Sequence, residues 1–98
     1  MGENRETIEA AARAIKARSQ DDPRVWAPEN WREIDLEYPT GQLVIRLRPA
    51  GDRAVDVEVF SWGNLLASER LRKYDSPTRL AELVEGVTRA ATRSRDST

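Results

Sequence analysis

The chain has 98 residues and a mass of 11.1 kDa, about the length of one small domain. Hydrophobic residues make up 39% and charged residues 34%, with 16 Lys plus Arg against 17 Asp plus Glu; one modest core is expected, and the balance excludes a strongly basic nucleic-acid coat or an acidic disordered tail as the whole chain. With no cysteine and no histidine, disulfides, thiolate or imidazole metal sites, thiol catalysis and imidazole bases are all excluded.

The polar start, Met1-Gly2-Glu3-Asn4-Arg5-Glu6, lacks the apolar stretch of a secretory signal. No apolar run exceeds three residues, as at Leu43–Ile45, so no membrane span is expected. A soluble protein of the cytoplasm is the default expectation.

Ile8, Ala11, Ala12 and Ile15 recur at i, i+3, i+4 and i+7, one face of a helix predicted over residues 5–19. Asn4 is its predicted N-cap, Glu6 faces the positive end of the helix dipole, and Lys16 and Arg18 face the negative end. Residues 20–31 hold two prolines and no period, so they read as an irregular connector. Within it Asp21-Asp22 before Pro23 reads as a loop-forming cluster rather than a metal site, and Trp26 and Trp31 read either as caps on an open end of the core or as binding residues.

An antiparallel sheet is predicted over residues 32–74. Ile34, Leu36 and Tyr38 alternate with Glu33, Asp35 and Glu37; Leu43, Ile45 and Leu47 with Val44, Arg46 and Arg48; Val55, Val57 and Val59 with Asp56, Glu58 and Phe60. Period-two alternation in β-branched residues, punctuated by Pro39-Thr40-Gly41-Gln42 and Pro49-Ala50-Gly51-Asp52, is the signature of strands joined by tight turns. Opposed residues must share a face, so Leu36 is expected opposite Leu43 or Ile45, not Val44; pairing it with Ile45 sets Asp35 opposite Arg46 and Glu33 opposite Arg48. Ile45 is expected opposite Val57, with Asp56 on the far side of Arg46. Gly63-Asn64 suits a turn of positive φ. Residues 65–74 then read either as a fourth, polar edge strand carrying Arg70, Arg72 and Lys73, or as a helix with Ala67, Leu71 and Tyr74 on one face. The strand is favoured, because the glycine turn needs a partner strand.

Ser76 as N-cap and Pro77 at the first helical position open a helix predicted over residues 76–93. Its stripe is Leu80, Leu83, Val84, Val87 and Ala91; residues 94–98 are expected to fray. The sum is one α+β domain over residues 1–98, a four-stranded antiparallel meander with the N- and C-terminal helices packed on one face (α-β-β-β-β-α). Its predicted core is Ile8, Ile15, Ile34, Leu36, Leu43, Ile45, Leu47, Val55, Val57, Val59, Leu80, Leu83, Val84 and Val87. This order of elements is similar, in topology alone, to small secretion chaperones, adaptor and inhibitor proteins, and to four-stranded single-strand-binding domains; topology by itself implies no function.

Three function classes follow. An enzyme is not expected: Glu33, Asp35 and Glu37 line a face where arginines neutralise them, no phosphate loop or nucleophile elbow occurs, and no cleft is predicted. No cofactor, metal or small-molecule substrate is expected either. A protein-interaction module is the favoured reading, with Phe60, Trp62 and Leu65 clustered at one end of the outer sheet face and Arg70 and Arg72 beside them, because bulky aromatics dominate interface hot spots. The partner is another protein or a second copy in a homodimer, which a chain with so small a core would favour. The alternative is a nucleic-acid-binding regulator that uses Arg70, Arg72 and Lys73, together with Arg89, Arg93 and Arg95 near the C-terminus and with Phe60 and Trp62 as stacking platforms. Arginine outnumbers lysine 14 to 2, a bias that a GC-rich genome also produces.

Overall fold

The computed structural model describes residues 2–27, 33–39, 43–50, 54–72 and 74–96. Helix α1 (Gly2–Arg18) is followed by strands β1 (Arg24–Trp26), β2 (Ile34–Glu37), β3 (Leu43–Pro49), β4 (Val55–Ser61) and β5 (Asn64–Leu71), and then by helix α2 (Pro77–Asp96). The strands form one antiparallel sheet in sequential order, β1-β2-β3-β4-β5. α1 packs over β1, β2 and β3, α2 packs over β4 and β5, and the helices touch each other on that same face. The α+β meander between two helices is therefore present, with five strands rather than four.

The extra strand is β1, inside the segment expected to be irregular. Four residues lie between Pro23 and Pro28, and the three that form the strand are too few to display a period of two. Val25 nonetheless pairs with Leu36 and packs on the core, while Trp26 pairs with Asp35 and faces away from the helices. This makes β2 an interior strand.

α1 begins earlier than the periodicity indicated, so Asn4 lies inside the helix and is not its cap. α2 extends to Asp96, past the expected end at residue 93 and into the stretch expected to fray; residues 97–98 lie outside the described ones. Its start matches the expectation, with Ser76 Oγ accepting a hydrogen bond from the Arg79 backbone N–H at 3.1 Å.

The core holds the aliphatic residues of the sheet's inner face and both helix stripes. Leu43 and Leu83 are only half-buried, and Leu43 packs against the edge of the core. Ala11, Ala12, Ala54, Ala81 and Ala91 are buried in addition. Alanine positions carry little side-chain volume, so they fill the core where backbones lie close together.

Leu36 lies opposite Ile45, one of the two partners the alternation allows, and Asp35 opposite Arg46. The β3–β4 register differs. Ile45 pairs with Val59, not Val57, so Arg46 faces Glu58 and Arg48 faces Asp56. Pro49 explains the offset. The expected register would use Pro49 in the closing pair of the hairpin, and proline has no N–H to donate. Ala50 closes it instead, donating its N–H to the Ala54 carbonyl at 2.9 Å. The offset is two residues, so every side chain keeps its face.

At the β4–β5 hairpin the turn is Trp62-Gly63, with φ +53° and +81°, rather than Gly63-Asn64, and Asn64 already pairs with Ser61. A turn at Gly63-Asn64 would have aligned Val55 with Arg72 and Val57 with Arg70, carrying two guanidinium groups under the helices. The observed turn plus a bulge between Val59 and Phe60 puts Ala67 and Leu71 on the core side and Arg70 outside.

Candidate functional site

Three cross-strand rows make up the face of the sheet opposite the helices. Arg24, Glu37, Val44, Phe60 and Leu65 form the first; Trp26, Asp35, Arg46, Glu58 and Ser68 the second; Arg48, Asp56 and Arg70 the third. The residues that the alternation placed outside are all on this side.

The second row is an ionic ladder. Arg46 donates to both carboxylate oxygens of Asp35, at 3.0 and 3.3 Å, and its Nε also contacts Glu33. Donating to Asp35 pushes the Arg46 pKa up, against the opposing effect of burial. Asp35 is only 7% exposed, which corrects the expectation of a solvated charged face. It is enclosed between Trp26 on β1 and Arg46 on β3. Arg48 bridges Glu33 and Glu58, each at 3.7 Å.

Phe60 sits half-buried in the first row, between Val44 and Leu65, with the Arg46 guanidinium 5.2 Å from its ring centroid. Leu65 is 53% exposed, and Trp62, at the hairpin tip, is 61% exposed. Phe60 and Leu65 are thus brought together by register, with Trp62 beside them in the turn. Val44 belongs to the same row and was missed as a member of the cluster; its pairing with Phe60 follows from the corrected β3–β4 register.

Arg70 is not a free cation. Its Nε and Nη2 donate to the two Asp56 oxygens at 2.7 and 3.1 Å, and this hydrogen bonding holds the Asp56 carboxyl below the usual carboxylate range. Arg72 is exposed and makes no ion pair among the described residues. Lys73, Trp31 and the Arg95 side chain lie outside the described residues. Arg89 and Arg93 are exposed on α2, on the helix side of the sheet and away from Phe60 and Trp62.

Trp26 does not cap the core. It is 44% exposed on the outer face at the β1 edge, four strand spacings from β5, or about 19 Å. The signal that marks it is the Val25-Trp26 pair, two strand-favouring residues held between prolines.

Asp22 is paired with Lys16, which also donates to the Pro23 carbonyl at 3.1 Å, tying the end of α1 to the loop that follows. Among the described residues no group of three or more side chains could hold a metal ion, and no helix is long and apolar enough to cross a membrane. Contrary to the expectation of no cleft, an open groove of about 350 Å³ lies between the helices and the β2–β3 end of the sheet, lined by Ile15, Tyr38 and Ile45 with charged residues of α1 and α2. Comparison with protein-family models, with curated proteins and with solved structures returned no match.

Proposed function

We propose that this chain is a non-enzymatic protein-interaction module, a small adaptor, chaperone-like or inhibitor-like protein that acts in the cytoplasm by stoichiometric occupancy of its partner. The contact surface is the β4–β5 hairpin end of the outer face: Phe60, Trp62 and Leu65 supply apolar area and Val44 extends it, while Arg70 and Arg72, expected beside the cluster, belong to the opposite end of β5 and stand apart from it. The partner is another protein or a second copy of the chain.

One observation carries this reading. Trp62 occupies a left-handed backbone position that a bulky side chain fills only at a cost of about 1–3 kcal/mol, and its ring is mostly in water. Asn or Gly would suit the turn better. Neither backbone comfort nor burial within the chain accounts for tryptophan here, whereas exposed tryptophan beside exposed leucine is the composition of a hot spot.

The nucleic-acid reading has weaker support, since Arg70 is held by Asp56 and a phosphate stripe needs uncompensated cations. Light scattering and pull-down with wild type and Trp62→Ala test the proposal. Loss of dimer or complex in a variant that unfolds like wild type supports it; undiminished association by Trp62→Ala overturns it. Oligonucleotide binding that weakens steeply with added salt would instead favour the nucleic-acid reading.

A further inference from the structure

The groove on the helix side is separate from the outer sheet face, and it has the makings of a small-molecule site. Its volume, about 350 Å³, falls within the range in which small ligands bind. Ile15 and Ile45 give it an apolar floor, and the rim is polar.

The charges at the rim do not cancel. Arg18 of α1 is neutralised by Glu85 of α2, Nη2 to Oε1 at 3.0 Å. Arg89, one turn further along α2, lines the same groove and makes no ion pair among the described residues. Within the groove lining one guanidinium is therefore left over, enough for a single negative charge, while Glu85 and Asp21, both close enough to Tyr38 to act on its phenol, oppose a second. A guanidinium presents a planar fork of donors that matches a carboxylate.

Tyr38 adds a neutral donor. Burial pushes its phenol pKa up, while a hydrogen bond from Ser19 works in the opposite direction. Tyr38 lines the groove, where its O–H can be presented to a bound carboxylate. Thr88 donates to the Val84 carbonyl at 2.9 Å, so its hydroxyl is already engaged.

We propose that this groove binds a small organic monocarboxylate, its apolar body on Ile15 and Ile45 and its carboxylate held by Arg89 and Tyr38. The inference is independent of the outer-face reading, and its test separates the two.

The probe is 3-phenylpropionate, titrated to about 10 mM, a range that detects a millimolar Kd, while the methyl resonances of Ile15 and Ile45 are followed by NMR. Saturable shifts of both methyls are expected. The neutral 3-phenylpropionamide should bind at least tenfold more weakly, as should 3-phenylpropionate to Arg89→Gln, a change at an exposed helix position that leaves the core intact. Trp62→Ala should bind the probe as wild type does. The proposal fails if the methyls do not shift, if the amide binds as well as the acid, if Arg89→Gln binds undiminished, or if Trp62→Ala abolishes the shifts.

Discussion

Arg46 on β3 holds Asp35 on β2 through two parallel hydrogen bonds, and the pair is placed by register rather than by chance approach of long side chains. The two residues differ in what each would leave behind if removed. Asp35→Asn keeps the shape and leaves Arg46 its contact with Glu33; the loss should be about 1–2 kcal/mol. Arg46→Met strands Asp35 and Glu33 without their shared cation, leaves Glu58 facing an apolar side chain, and exposes the Phe60 ring it covers. The expected loss is about 2–4 kcal/mol. Urea unfolding of both single variants and the double variant measures the coupling, expected at about 1–2 kcal/mol. Strictly additive losses would show that the ladder is decorative.

Trp62 allows stability and association to be moved in opposite directions. Trp62→Asn keeps a residue that tolerates a left-handed backbone, so the hairpin relaxes. Stability should rise by about 1 kcal/mol, or roughly 4–8 °C in Tm for a domain of this size, while partner binding or dimerisation falls as in Trp62→Ala. A thermal melt checks the first effect and light scattering the second. An unchanged or lower Tm would mean that the turn is not strained by its tryptophan.

What the sequence made legible, and what it hid, follows from how each feature is encoded. The faces of β2, β3 and β4 were readable because alternation over several residues is over-determined: turning Leu36 outward would also turn Asp35 inward. Register along a face is encoded more locally. The closing pair at Ala50 and Ala54 depends on Pro49 lacking one hydrogen, and the bulge in β5 answers a conflict between turn chemistry and the placement of Arg70 and Leu71. β1 has too few residues to alternate, so by sequence alone Trp26 reads as part of a connector. The outer location of Phe60 and Leu65 was inferred from alternation and the hairpin. The groove beneath Arg89 could not be, because it is a space left between helices whose crossing no sequence period specifies.

Asp56 and Arg70 give the fold an acid sensitivity with a defined direction. The folded-state pKa of Asp56 is depressed, chiefly by the hydrogen bond from Arg70. The pair's contribution is therefore fully present above the ordinary aspartate range, near pH 4, and is lost as pH falls through the lower folded value. Wild type should lose stability below about pH 4 more steeply than Arg70→Gln. Chemical denaturation at neutral pH and at about pH 3 measures this as a gap between the two proteins that narrows in acid. A gap that stays constant would assign the effect of Arg70 to packing rather than to charge.

Gly86 interrupts the α2 stripe region between Glu85 and Val87, where glycine costs helix stability by leaving the unfolded chain too much freedom. Glycine in a helix interior has a structural role when a neighbouring backbone crosses so closely that no Cβ fits. That is not the case here: the position is exposed, its φ is not in the left-handed region, and an added Cβ meets nothing within 4 Å. Gly86→Ala should therefore stabilise the protein by about 0.5–1 kcal/mol, with a matching rise in Tm. The neighbouring Arg18–Glu85 pair and the groove should be untouched, so 3-phenylpropionate should bind this variant as it binds wild type. A lower Tm would require a contact on the open side of α2 that the isolated chain does not make, such as a second copy or partner pressed against that turn, and would move the search for an interface from the outer sheet face to the helices.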